Sequence, residues 1–242
     1  MSGNLPASGR QVRSTLGADG TLVIDMAEVP VVPPGPGEVV VAVEAAPVNP
    51  SDIITLLASA DACSAHYEPG RVSLQVPAAA LPSRKGRFGL PLAVGITGAG
   101  TAIAAGTGAP FPVGARVTLL SLDRGMFGEF VTVPAATCAP LPEGVACAQA
   151  ADVFCNPMTV MAMIEEVRLA GQHSLIHTAA ASNVGQMLVR ACREHGVALV
   201  NVVRRPEQAE RLREIGAEHV VVSSAPDFFE ALRDAISCTG AR

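Results

Sequence analysis

The 242-residue chain has no tryptophan, one tyrosine and only 3% aromatic residues. A surface that stacks bases needs aromatic faces, and a net charge of −5 is the wrong sign for a phosphate backbone. Nucleic-acid binding is therefore excluded. Charge is sparse as well, at 16% of residues against 49% hydrophobic ones. That leaves ample core material for two small domains and rules out a disordered chain. The first thirteen residues lack the apolar segment of a secretory signal. Residues 88–115 carry no charge, but their seven glycines and three prolines exclude a continuous membrane helix. The six cysteines (63, 138, 147, 155, 192 and 238) include no C-x-x-C pair. Finger-type zinc spacing is thus missing, and reduced thiols, mostly core fillers in a cytoplasmic protein, are expected.

From His173 onward the chain repeats strand and helix. Residues 174–178 (S-L-I-H-T), 198–203 and 219–222 are short apolar runs of the kind buried on both faces of a parallel sheet. Between them Val184, Met187/Leu188, Ala191/Cys192 and His195 share one helical face, as do Ala209, Leu212 and Ile215. A third helix, opened by Pro226, places Phe228/Phe229, Leu232 and Ala235/Ile236 inward. Gly196, Gly216 and Gly240 stand where the three helices should stop. Three β-α units form half of a doubly wound dinucleotide-binding sheet. Only Ala241 and Arg242 follow, so the sequence predicts a C-terminally truncated sheet, with residues 174–178 left as an unpaired apolar edge.

The turn after the first strand should carry G-x-G-x-x-G, and here it is Ala180-x-Ser182-x-x-Gly185. Small residues still let a backbone approach pyrophosphate, Ser182 can cap the helix, and the helix N-terminus favours an anion. About 20 residues on, an NAD site would place an acid. The chain has Arg204 and Arg205 there instead, and two guanidiniums suit a 2′-phosphate. NADPH is predicted over NADH.

Residues 1–150 have another texture, rich in Gly, Pro and β-branched runs. Strands are expected at 21–24, 38–48, 101–105, 115–120 and 127–133, making a small β-barrel. Residues 58–89 show no periodicity and are expected to form a long loop or irregular insertion. Residues 146–167 are expected to form a helical connector broken at Asn156-Pro157.

Several stretches, among them V-V-V-A-V-E-A-A-P-V-N-P-S-D-I (39–53), G-I-T-G-A-G-T (95–101), P-V-G-A-R-V (112–117), G-E-F-V (128–131) and N-P-M-T-V (156–160), resemble the medium-chain dehydrogenase/reductase superfamily in its zinc-free branch. Quinone reductases and enoyl-thioester reductases make up that branch. S-N-V-G-Q (182–186), N-V-V-R (201–204) and G-A-E-H-V (216–220) are most similar to the enoyl-thioester reductases. The resemblance implies a mixed fold: a GroES-like catalytic domain at 1–154 and a partial Rossmann NADP-binding domain at 155–242.

It further implies hydride transfer to an activated C=C or quinone. Asn49 stands where zinc relatives place a cysteine, and Ile96 and Thr97 stand where they place a His–Glu pair, so no metal is expected. Asn49, Asp52 and the lone Tyr67 are the implied catalytic candidates; turn capping is the alternative for Asn49 and Asp52, and packing for Tyr67. The implied cofactor set is Asn156, Thr159, Ala180, Ser182, Asn183, Val184, Gly185, Arg204 and Arg205. The expected partner is a small-molecule substrate, with no nucleic acid or membrane, and either a homo-oligomer or a missing C-terminal segment. The alternative is a non-catalytic dinucleotide-binding remnant or assembly subunit.

Overall fold

A computed structural model describes residues 5–241. Along the chain lie β1 (Ser8–Leu16), β2 (Thr21–Pro30), β3 (Glu38–Ala45), α1 (Pro50–Leu57), β4 (Asp61–Glu68), β5 (Arg71–Gln75), β6 (Leu92–Ala93), β7 (Thr97–Ala105), β8 (Arg116–Leu120), β9 (Phe130–Pro134) and β10 (Cys138–Pro140). Then come α2 (Cys147–Ala150), α3 (Asn156–Leu169), β11 (Ser174–His177), α4 (Asn183–His195), β12 (Ala198–Val203), α5 (Pro206–Glu214), β13 (His219–Val222) and α6 (Phe228–Thr239). The chain divides into two compact units, Met1–Phe154 and Cys155–Arg242.

The first unit holds two five-stranded sheets, ordered β4-β5-β2-β1-β6 and β10-β8-β7-β3-β9. A bridge between Gln11 and Gly128 joins them. Val39, Val41, Val117 and Leu119 are fully buried in one core, and Leu16 and Leu22 in another. Polar side chains hold the turns. The Gln11 amide donates to the carbonyls of Arg124 (2.7 Å) and Gly125 (3.0 Å), and the Ser14 hydroxyl donates to Leu56 O at 2.7 Å.

Residues 58–89 are ordered by the same means, which corrects the expectation of an irregular insertion. They form the antiparallel β4–β5 pair and a 3-10 segment, Ala78–Arg87. Ala58 and Ser59 leave α1 with left-handed φ of 50° and 72°, a conformation that costs about 1–2 kcal/mol per residue without help. Arg84 donates to the Ser59 hydroxyl at 3.0 Å. Arg87, 9% exposed, donates to Thr55 O and to the Ser14 hydroxyl, each at 3.0 Å. A cation at the carboxyl end of a helix is well placed against its dipole. The predicted connector at 146–167 is likewise two helices, α2 and α3, with Pro157 in the first turn of α3.

The second unit is a three-stranded parallel sheet ordered β11-β12-β13, the 3-2-1 half of a doubly wound sheet. Alternate residues face opposite layers. Leu199 and Val203 join buried side chains of α3, α4 and α5, while Val200 and Val221 pack with α6. Leu188 and Leu212 are fully buried, each stabilising the unit by about 1.5–3 kcal/mol. Gly196 ends α4 at φ 67° and Gly240 ends α6 at φ 68°. The last helix begins at Phe228, two residues after the predicted Pro226, because the amide of Phe228 closes a turn onto Ala225 O. Among the described residues, β12 is the one strand paired with β11.

Candidate nucleotide site

At the carboxyl ends of β11, β12 and β13 lies an open cavity of about 650 Å³. Thr178, Ala179, Ala181 and Ser182 line it from the turn after β11, Arg204 and Gln208 from the end of β12 and the start of α5, and Ser223 from the end of β13. Among the described residues, no acid lines it. Ligands of open α/β sheets sit at this end of the strands.

The turn owes its shape to close packing. A Cβ on Gly185 would lie 2.1 Å from the carbonyl oxygen of Ala180, so only glycine lets α4 start against the turn. Ala179 takes φ 54°, a left-handed conformation that an alanine adopts only where its surroundings hold it. Ser182 is the N-cap of α4, its hydroxyl accepting the Gly185 N–H at 3.2 Å. The amides of Asn183 and Val184 make no hydrogen bond among the described residues. They remain as donors at the positive end of a 13-residue helix.

Of the residues predicted to bind cofactor, the structure brings Ser182 and Arg204 to the cavity wall. Ala180 is fully buried and Val184 packs on the core, so these two shape the turn from beneath. Asn183 opens α4. Arg205 is the N-cap of α5 and is exposed like Arg204, and it is not among the residues lining the cavity. Asn156 is the first residue of α3. The Thr159 hydroxyl donates to Cys155 O at 2.7 Å, and Thr159 lines a separate groove beside β11. Gln208 and Ser223 went unrecognised in the sequence. Gln208 had one signal, a Gln three residues past a helix N-cap. Ser223 had another, its place directly after a parallel strand.

Beneath the turn, His177 closes β11, and its Nε2 is buried and makes no hydrogen bond among the described residues. Burial holds the imidazole below its ordinary pKa of 6.5. Asn201, its cross-strand neighbour, donates to the carbonyls of Leu199 (3.4 Å) and His219 (3.2 Å). Cys192, in the same core, has its thiol pushed up to about 11 by burial. It is an inert packing residue, whereas Cys63 and Cys238 are exposed.

In the first unit, Asp52 is 1% exposed and both its oxygens are engaged, Oδ2 by the Asn49 N–H at 2.8 Å and Oδ1 by the Ile96 N–H at 2.9 Å. The carboxyl group staples the start of α1 to the approach of β7. The Asn49 amide donates to Asp152 Oδ1 at 3.1 Å. Tyr67 lies on β4 and is 75% exposed, neither packed in a core nor part of this staple. Among the described residues, no three His, Cys, Asp or Glu side chains are grouped so as to hold a metal ion, and no helix is long and apolar enough to cross a membrane.

This build, a GroES-like barrel unit followed by a Rossmann-type parallel sheet, is that of the alcohol-dehydrogenase-like class. Residues 35–143 match the alcohol dehydrogenase GroES-like domain. The chain is 33% identical over 213 residues to a phthioceranic/hydroxyphthioceranic acid synthase of Mycobacterium tuberculosis, covering 87% of this chain and 9% of the synthase. It is 29% identical over 204 residues to a mitochondrial enoyl-[acyl-carrier-protein] reductase of Caenorhabditis elegans, covering 82% of this chain and 52% of the reductase. A crystal structure of a putative NADPH:quinone reductase from Mesorhizobium loti superposes with a TM-score of 0.75 at 26% identity, covering 99% of this chain and 67% of that one. The chain thus spans about a tenth of the synthase and about half of the enoyl reductase. By the family match and these relatives, the chain is similar to quinone and enoyl reductases of the medium-chain dehydrogenase/reductase superfamily.

Proposed function

We propose that this chain carries the barrel and the nucleotide-phosphate half of an NADPH-dependent, zinc-independent reductase acting on activated C=C bonds or quinones. The observation that carries the reading is the cavity at the strand ends, which joins a small-residue turn to Arg204 and offers no acid for a ribose diol. The residues fit the group. Small side chains at Ala179 and Ala181 admit a close approach of the pyrophosphate, and the Asn183 and Val184 amides can donate to it. The Arg204 guanidinium suits a 2′-phosphate, as the residue class best matched to phosphate oxygens. When bound, the nicotinamide supplies the hydride; the protein orients and polarises the acceptor. Names of relatives support the substrate class, one being an enoyl-[acyl-carrier-protein] reductase and one a putative NADPH:quinone reductase.

Zinc independence rests on Asn49, Ile96 and Thr97, of which Ile96 has no ligating atom in its side chain. Catalytic roles for Asn49, Asp52 and Tyr67, and contacts of Asn156 and Thr159 with cofactor, belong to the same proposal. The hydrogen bonds of Asp52 favour a positioning role for it.

The absence of tryptophan lets bound NADPH fluorescence be followed without an indole background. In such titrations Arg204→Ala should weaken NADPH by at least about tenfold and NADH by less than about twofold. Equal losses for the two cofactors would refute the assignment.

A further inference from the structure

We infer that Gln208 is a second determinant of cofactor choice, a hydrogen-bond donor to the 2′-phosphate beside Arg204; this rests on the nucleotide reading of the cavity. Gln208 is the third residue of α5 and lines the cavity. Its Oε1 accepts two backbone N–H groups, from Arg204 at 3.1 Å and from Arg205 at 3.0 Å. Both partners are donors, so the amide has one possible orientation, with its oxygen toward the backbone and its nitrogen away. That nitrogen makes no hydrogen bond among the described residues, as the only bonds of this side chain are the two its oxygen accepts.

This arrangement removes the usual way of holding an anion at a helix start. Pro206 has no N–H, the amides of Arg204 and Arg205 are taken by Gln208, and the Gln208 N–H is bonded to Arg205 O at 3.1 Å. Only the Glu207 amide is left from that turn. A phosphate on this wall is met chiefly by side chains, and the side-chain donors that β12 and α5 bring there are the Arg204 guanidinium and the oriented Gln208 amide, with the Ser223 hydroxyl at the end of β13. The same glutamine therefore closes the helix end with its oxygen and presents two N–H donors with its nitrogen. A lone guanidinium would attract any phosphate; a fixed amide beside it adds direction.

Two variants test this, read as the ratio of the NADH to the NADPH dissociation constant. Gln208→Glu keeps an oxygen for both backbone amides but removes the donors and adds negative charge. Gln208→Met removes the donors without adding charge. Helix fraying affects both cofactors alike, whereas loss of a 2′-phosphate contact moves the ratio. The ratio should fall by about tenfold in Gln208→Met and further in Gln208→Glu, with the melting temperature of Gln208→Glu unchanged. A wild-type ratio retained in Gln208→Met would overturn the role of Gln208 alone. A wild-type protein that binds NADPH no better than NADH would sink both this role and the reading of the cavity.

Discussion

The two units bury their backbones by different means. Of the eleven buried polar or charged side chains among the described residues, nine lie in the first unit and two in the second. In the first, Gln11 and Asp52 bond to backbone groups of distant loops, and Ser14 and Arg87 to carbonyls at the end of α1. Irregular loops carry carbonyls and amides that no ladder satisfies, and buried ones need a partner. In the second, regular β-α units satisfy their own backbone, and stability comes from apolar faces and close approach. The first unit should therefore be sensitive to polar deletions and the second to added bulk.

That contrast can be broken in three places. The largest effect should come from Gly185→Val. Valine's Cβ would meet the backbone oxygen of Ala180 at 2.1 Å, and backbone cannot yield as a flexible side chain does. We expect a loss on the order of 3 kcal/mol, outweighing the better helix propensity, read by urea unfolding of the second unit. If valine is tolerated there, close approach is not what shapes the turn. In the first unit, Asp52→Ala strands two buried N–H groups and should cost about 2 kcal/mol; unchanged unfolding would mean the staple contributes nothing. The smallest effect is that of His177. Its pKa is lowered in the fold, so the unfolded chain binds the proton first as pH falls. Stability is then complete at neutral pH and declines as pH drops below about 6.5, the ordinary histidine value. The midpoint of unfolding, followed from pH 7.5 to about pH 5, should slope less in His177→Gln; parallel slopes in the two proteins would remove His177 from the account.

Sequence pattern revealed the second unit more fully than the first, for physical reasons. β12 and β13 are short apolar runs closed by turns, and their predicted and observed bounds coincide. β1 escaped notice because two of its inward positions are the polar Gln11 and Ser14, which face carbonyls rather than apolar neighbours. β4 escaped because its residues are mostly exposed and show no inward alternation. The N-P-S-D signal at 49–52 was visible as a cap, but the eight-residue helix behind it was not. At the site, the small-residue turn and Arg204 were legible from their spacing alone. Which of the two arginines lines the cavity was not, since adjacent residues near a strand end point to different sides. Gln208 and Ser223 enter the cavity only through the packing of α5 and β13, which local pattern does not record.

The most direct test separates the 2′-phosphate from the rest of the cofactor. Calorimetric titration with 2′-phosphoadenosine 5′-phosphate and with adenosine 5′-phosphate uses only the half of the nucleotide that we propose this sheet binds. The doubly phosphorylated ligand should bind at least about tenfold more tightly, with the advantage shrinking as salt is raised. Equal affinities, or no binding of either, would contradict the assignment of Arg204 and with it the cofactor reading.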